Sequence, residues 1–234
     1  MADETCRAFD SVAPGDPNAL HRFVVGADAA PQPLTASQVK ALGDPFATLL
    51  LARGKFPRTG EEVVEGIRAA VRQGHALKRL STFVVGEGSQ LPRAADSTGV
   101  DRNLRFIVTL GRGPDGPDVF ISVGDPKQIG GVEVMAWKRG AGGFNYYRST
   151  GRMWMFAGNS RDALAPKSRG KGPFESHPSG ALLMKELKEP WQNWHSAFAN
   201  IPRTAFAKDD PRRRHPWFTK RDPGGAYSRR SRHP

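Results

Sequence analysis

The stretch that decides the fold is Val132–Phe156, VEVMAWKRGAGGFNYYRSTGRMWMF. Apolar and polar residues alternate through much of it, which is the pattern of a half-buried β-strand. The glycine-rich segment Gly140–Gly143 separates a strand over Val132–Lys138 from one over Phe144–Arg148, and a third strand follows over Arg152–Phe156. Connections this short join antiparallel neighbours, because a parallel crossover needs a dozen or more residues.

Helices are predicted upstream of these strands. Thr35–Gln38 has the form of a capping box and opens a helix over Ala36–Leu42. Asp44, which precedes a proline, caps a second helix over Phe46–Arg53. Apolar residues at helical spacing predict a third helix over Glu61–Gln73.

Two more strands, Leu104–Leu110 and Val119–Val123, precede the deciding stretch. The sequence therefore predicts an α+β fold, in which an antiparallel β-meander of about five strands packs against two or three N-terminal helices, followed by a loop-rich C-terminal segment. Residues 1–33 are predicted to be an extended or poorly ordered leader. Residues 34–202 are predicted to form a single α+β domain, and residues 203–234 a basic flexible tail.

The charge of the chain is unevenly distributed. The 234 residues carry a formal net charge of +12. The segment Arg203–Pro234 holds ten Lys or Arg and three Asp, so it contributes +7 of that total. The folded part is only mildly basic, which weakens the hypothesis of a folded nucleic-acid reader. Trp217 and Phe218 are candidates for an anchor that holds the middle of the tail on the domain.

Cysteine content and hydropathy indicate the compartment. Cys6 is the single cysteine, so neither an intramolecular disulfide nor a multi-cysteine zinc site is expected. Residues 1–30 lack the charged and apolar regions of a secretory signal. No apolar run approaches the length of a membrane span. We therefore predict a cytoplasmic protein.

One short segment resembles part of a known family. In Pro178–Leu187 a proline and a glycine precede an apolar-Lys-Glu strand, an arrangement that resembles a segment of small β-rich cytochromes. Those cytochromes attach haem through Cys-x-x-Cys-His, and this chain has only Cys6. A covalent c-type haem is therefore excluded, and a divalent metal or a non-covalent haem remains as a candidate cofactor.

The candidate site lies in Pro173–Ala197, which holds two of the six histidines and two of the five tryptophans. His177, His195 and Glu186 supply two imidazoles and one carboxylate, the usual ligand set of a catalytic zinc or non-haem iron. The same three residues also suit acid–base catalysis without a metal. The spacing is no established metal motif, and the alternative is that the tryptophan-rich part is core, with His195 hydrogen-bonded beside it.

Aromatic residues are predicted to line this site. Trp191 and Trp194 would share one helical face with His195. Tyr146 or Tyr147, with Arg148, would supply polar contacts to a flat apolar ligand. The alternative is that these strand residues are core. All eight candidate residues lie in the C-terminal half of the domain: His177, Glu186, His195, Trp191, Trp194, Tyr146, Tyr147 and Arg148.

These features favour a small soluble enzyme with a His/Glu/aromatic pocket, acting on a small apolar or aromatic molecule. A metal-dependent oxidoreductase or lyase fits that description, and a small-molecule partner is favoured over nucleic acid. One alternative is a non-catalytic ligand-binding or interaction protein. The other is a polyanion or nucleic-acid binder that uses the basic C-terminal tail.

Overall fold

A computed structural model describes residues 9, 15–72, 79–86, 104–111, 117–177, 179–180 and 209–219. The strands are β1 (Leu20–Arg22), β2 (Gln32–Pro33), β3 (Arg79–Gly86), β4 (Leu104–Gly111), β5 (Pro117–Val123), β6 (Val132–Lys138), β7 (Gly143–Ser149) and β8 (Trp154–Asn159). The α-helices are α1 (Ala36–Leu42), α2 (Pro45–Leu49), α3 (Gly60–Arg72) and α4 (Pro216–Thr219). Short 3-10 turns occupy Leu51–Arg53, Arg139–Ala141, Asp162–Leu164, Gly172–Glu175 and Pro211–Arg214.

The described strands form one mixed sheet of eight strands in the order β2-β1-β8-β7-β6-β5-β4-β3. From β3 to β8 each strand is antiparallel to the next, whereas β1 pairs in parallel with β8 and β2 runs antiparallel to β1. The predicted α+β class is confirmed. The predicted five-strand antiparallel meander is wrong, because the meander is longer and N-terminal strands extend the sheet. A parallel pair between distant segments leaves no turn signal in the sequence.

The segment predicted as a leader contributes to the sheet from Leu20 onward. Leu20 is fully buried, and the backbone N–H of Phe23 donates to the carbonyl oxygen of Phe156 at 3.0 Å. β1 therefore occupies an internal position between β2 and β8, rather than an edge. The domain boundaries proposed from the sequence remain predictions.

The N-terminal helices begin at the predicted caps. Thr35 and Gln38 form a capping box that starts α1. Asp44 caps α2, where its Oδ1 accepts from the backbone N–H of Ala47 at 3.0 Å. α2 is shorter than predicted, and the chain continues as the 3-10 turn that ends at Arg53. α3 buries Val63, Val64 and Ile67 at helical spacing, as predicted for an amphipathic helix.

Both faces of the sheet carry buried side chains. The helices cover what we call the first face, whose strand residues include Val119, Ile121, Val134, Tyr147 and Trp154. The opposite side, the second face, carries Met135, Tyr146 and Met155, which pack with Phe9, Phe23 and Phe174 from outside the strands. Alternate residues of each strand point to opposite sides, so neighbouring residues of β6, β7 and β8 belong to different cores.

Part of the predicted tail packs on the first face. Trp217 is 9% exposed and lies edge-on to Phe106, with ring centroids 5.8 Å apart. Beside it, His215 Nε2 lies 2.7 Å from Glu61 Oε1 at the start of α3. Trp217 is thus the anchor that the sequence suggested, while Phe218 belongs to the side chains that are not described.

Within the described part of the chain, no helix combines the length and the apolar character needed to cross a membrane.

Candidate functional site

Half of the predicted site lies outside the described residues: Glu186, Trp191, Trp194 and His195. The proposed metal set of His177, Glu186 and His195 therefore stays a prediction. In the part of the chain that the structure describes, no three His, Cys, Asp or Glu side chains are grouped so as to hold a metal ion.

Tyr146 and His177, both predicted site residues, meet on the second face. Their ring centroids are 5.6 Å apart and their planes are tilted by 48°. Phe174 also packs edge-on against Tyr146, with ring centroids 5.3 Å apart and planes at 84°. The structure therefore brings an imidazole and a phenol from distant positions in the chain into one aromatic cluster, Tyr146–Phe174–His177.

The local fold after β8 positions this cluster. The 3-10 turn that contains Phe174 ends before His177, whose backbone N–H donates to the carbonyl oxygen of Pro173 at 3.1 Å. Gly180 then donates to the carbonyl oxygen of His177 at 2.8 Å and accepts from the hydroxyl group of Ser160. Gly180 has a φ of +64° and passes so close to the backbone of Ser160 that a side chain would clash. This close approach fixes the end of the segment beside β7.

The hydroxyl group of Tyr146 is buried without a well-formed hydrogen bond to a described residue. Tyr146 is 3% exposed, and its Oη makes no hydrogen bond of normal geometry within the described residues. Burial raises the pKa of this phenol well above its ordinary value, and the nearby Ser160 hydroxyl offsets only part of the rise. Tyr146 therefore remains protonated at neutral pH and retains a proton that it can donate to a ligand.

Tyr147 lies on the first face, away from the aromatic cluster. Its hydroxyl group donates to Asp44 Oδ2, and Asn145 Nδ2 donates to the same oxygen at 2.8 Å. Burial raises the pKa of the Asp44 carboxyl, against the opposing effect of these hydrogen bonds. Burial and the nearby Asp44 raise the pKa of Tyr147 as well. Asp44, Asn145 and Tyr147 therefore form a buried, hydrogen-bonded group that connects the start of α2 to β7.

Arg148 shares the second face with Tyr146. Its Nη1 lies 2.5 Å from Glu133 Oε1 on the neighbouring strand, and its guanidinium carbon lies 5.2 Å from the centroid of the Phe9 ring. The side chain is only 12% exposed. Arg148 is therefore a largely covered, ion-paired cation beside the cluster, on the face where the sequence predicted a ligand contact.

Sequence reasoning missed His21. This histidine lies on β1 and is 5% exposed, with Nδ1 buried and lacking a hydrogen bond. Its burial follows from the parallel pairing of β1 with β8. No local sequence pattern predicts that pairing. The only available signal was the short apolar run that follows it, Phe23–Val25.

Comparisons of this chain with protein-family models, with curated proteins and with solved structures give no match. A fold alone does not define a function, so the information on function lies in the side chains of the site.

Proposed function

We propose that this chain is a small enzyme that binds a small apolar or aromatic molecule at the second face and transfers a proton with His177. The observation that carries this proposal is the contact between Tyr146 and His177, with ring centroids 5.6 Å apart. A flat molecule that binds against the His177 ring at this contact would also lie beside the Tyr146 ring. The rings of Tyr146 and Phe174 supply the apolar contact area that small-molecule sites use.

The two polar groups have complementary chemistry. An imidazole exchanges protons near neutral pH, so His177 is suited to take a proton from the ligand. The phenol of Tyr146 keeps its proton because burial raises its pKa. It therefore acts as a hydrogen-bond donor to a ligand oxygen on which negative charge develops. This division of roles describes proton abstraction from a carbon next to a carbonyl group, because the negative charge of the resulting enolate develops on the carbonyl oxygen.

Ligand-observed NMR with a library of small aromatic carbonyl compounds and phenols tests the proposal. We expect compounds that bind the wild-type chain to lose at least about tenfold in affinity in Tyr146→Phe or His177→Gln, a change of about 1.4 kcal/mol. Tyr147→Phe is the matched control, since it removes the same hydroxyl group from the first face and should leave affinity unchanged. Equal affinity of wild type, Tyr146→Phe and His177→Gln would overturn the assignment of the site.

Incubation of the bound compounds in D₂O separates an enzyme from a binding protein. Proton exchange at a ligand carbon that the wild type catalyses, and that disappears in His177→Gln even at ligand concentrations that saturate this variant, supports catalysis. Binding without exchange for every compound would support the non-catalytic alternative.

A second candidate function, polyanion binding, is favoured by one observation. Lys167, Arg169 and Lys171 are exposed on one loop, and none of them forms an ion pair with a described residue. If this loop binds polyanions, affinity for duplex DNA should fall steeply with salt. Replacing the three residues by Gln should abolish that binding, and unchanged binding would assign any such activity to another part of the chain.

A further inference from the structure

We propose that His21, Met153 and Met155 form a binding site for a soft monovalent metal ion, Cu(I), on the second face next to Gly15. The site uses none of the residues of the Tyr146–Phe174–His177 cluster, and it does not depend on the function proposed above.

The first observation is the environment of His21. Its side chain is 5% exposed, and Nδ1 is buried without a hydrogen-bond partner. No described residue forms a hydrogen bond with the other ring nitrogen, Nε2. A buried polar group without a partner carries a free-energy penalty, so such groups are rare and call for an explanation. A metal ion bound at Nε2, the nitrogen that faces Gly15, would give this buried imidazole a polar partner, and Nδ1 would keep the proton of the neutral ring.

The second observation is a shared space beside Gly15. The point where a side chain would begin on Gly15 lies 2.8 Å from His21 Nε2 and 2.9 Å from Met153 Sδ. The nitrogen and the sulfur therefore face the same space, and their separation is no more than the sum of those two distances. Metal–nitrogen and metal–sulfur bonds of about 2.0 and 2.3 Å allow a single ion to contact both atoms after small side-chain adjustments. Any residue larger than glycine at position 15 would occupy that space.

Met155 is positioned to be the third ligand, beside His21 and Met153. It is the register partner of His21 across the parallel pair of β1 and β8, and it is fully buried. Side chains at one register position of neighbouring strands lie on the same face of the sheet. Met155 and Met153 are also separated by one residue, so both project from the same end of the β8 region toward the second face.

The donor chemistry selects the ion. Thioether sulfur is a soft donor that favours Cu(I), and imidazole accepts copper as well, whereas Mg²⁺ and Ca²⁺ require carboxylate or carbonyl oxygen. Among the described side chains, the nearby cation Arg148 is ion-paired with Glu133 at 2.5 Å. That pairing offsets the charge repulsion that Arg148 would otherwise exert on a bound monovalent cation.

Silver(I), a redox-stable analogue of Cu(I), provides the test. The full chain carrying Cys6→Ser, which removes the competing thiol, is labelled with ¹³C at the methionine methyl groups and titrated with Ag(I). We expect the first equivalent to shift the methyl signals of Met153 and Met155 and to leave that of Met135 unchanged. Met135 is the matched control, because it is also buried on the second face, at 6% exposure. A first equivalent that shifts other methionines instead would overturn the proposal.

Competition for Cu(I) with a chromogenic chelator adds a second readout. Met153→Leu, Met155→Leu and His21→Gln should each weaken binding by at least about tenfold, while Met135→Leu should not. The leucine variants nearly conserve volume, so they keep the test decisive even if His21→Gln fails to fold. Equal affinity in the wild type and the leucine variants would show that these sulfurs are ordinary core groups.

Discussion

Tyr146 and Tyr147 are adjacent in β7, yet their hydroxyl groups lie on opposite faces of the sheet and in opposite hydrogen-bonding environments. The hydroxyl group of Tyr147 donates to the buried carboxylate of Asp44. The hydroxyl group of Tyr146 has no hydrogen bond of normal geometry in the described structure. Both side chains are nearly inaccessible, at 3% and 2% exposure, so exposure does not distinguish them. This difference in hydrogen bonding indicates that the hydroxyl group on the first face stabilises the fold. The hydroxyl group on the second face is the candidate for ligand binding.

Removing the two hydroxyl groups should therefore have different effects on stability. We expect Tyr147→Phe to lower the free energy of unfolding by about 1–3 kcal/mol, because Asp44 would lose a hydrogen-bond donor inside the core. Tyr146→Phe should change it by less than about 0.5 kcal/mol, since no well-formed bond is lost. Urea denaturation of both variants beside the wild type measures the difference. A larger loss for Tyr146→Phe than for Tyr147→Phe would contradict this assignment.

The buried carboxyl group of Asp44 should give a defined pH dependence. Its pKa is raised above the ordinary value of 3.8, chiefly by burial. At pH values between 3.8 and the raised pKa, Asp44 holds a proton in the folded chain that it has released in the unfolded chain. The contribution of Asp44 to stability therefore falls as pH rises through this range. Asp44→Asn cannot titrate. We therefore expect its destabilisation relative to wild type to be largest near pH 4 and to shrink toward neutral pH.

Urea denaturation of wild type and Asp44→Asn at several pH values from about 4 to about 8 provides the measurement. Taking the difference between the two chains cancels the titration of the other carboxylates. A difference that grows with pH would mean that the hydrogen bonds from Tyr147 and Asn145 outweigh burial and favour the ionised carboxylate.

The C-terminal segment should contribute measurably to stability, although a Lys-, Arg- and Pro-rich composition argues against it. Trp217 is 9% exposed and packs against Phe106. Trp217→Ala should therefore lower the free energy of unfolding by about 3–5 kcal/mol, the range for truncating a buried tryptophan. A chain that ends at Lys208 should lose at least as much.

The matched control for that truncation is a chain that ends at Thr219, which keeps Trp217 and the contact between His215 and Glu61. We expect its thermal unfolding midpoint to stay close to that of the full chain. If the two truncated chains unfold at the same temperature, the packing of Trp217 contributes little in solution.

Two glycines that both have positive φ angles should differ in their response to alanine. Gly26 and Gly54 have φ angles of +84° and +68°, so both substitutions carry the strain of a left-handed residue, about 1–2 kcal/mol. An added methyl group at Gly54 meets nothing within 4 Å, whereas at Gly26 it would collide with the carbonyl oxygen of Lys167. Gly26→Ala should therefore cost at least about 1 kcal/mol more. Chemical denaturation of the two variants measures this, and equal losses would contradict the contact.

The sequence predicted the elements that carry local signals. The capping box at Thr35 and the cap at Asp44 start helices where expected, because these side chains bond to nearby backbone N–H groups. The strand pattern around Val132–Phe156 predicted β6 and β7 to within a residue at each end, while β8 begins at Trp154 rather than Arg152. Local hydrogen bonds and alternation are properties of neighbouring residues, so one sequence suffices to detect them.

Long-range pairing could not be predicted in the same way. β1 is three residues long, too short for alternation to be recognised, and its partner β8 lies more than a hundred residues later. The burial of His21 depends entirely on that pairing. For the same reason, the contact between Tyr146 and His177 was predicted only as shared membership of a site. The sequence also left open whether Tyr146 or Tyr147 would contact a ligand, although alternation along a strand places adjacent residues on opposite faces.

The parallel pairing of β1 with β8 also has a consequence for folding during synthesis. Leu20 leaves the ribosome long before Trp154, its register partner. β1 therefore has no β8 to pair with until the meander that ends at Asn159 has emerged. Pairing then closes the long loop between β1 and β8, which is entropically unfavourable. After β8 has emerged and before β1 pairs with it, the edge of β8 is unpaired, and an unpaired edge invites association with other chains. A bulky domain fused directly before Leu20 should therefore slow the pairing of β1 with β8.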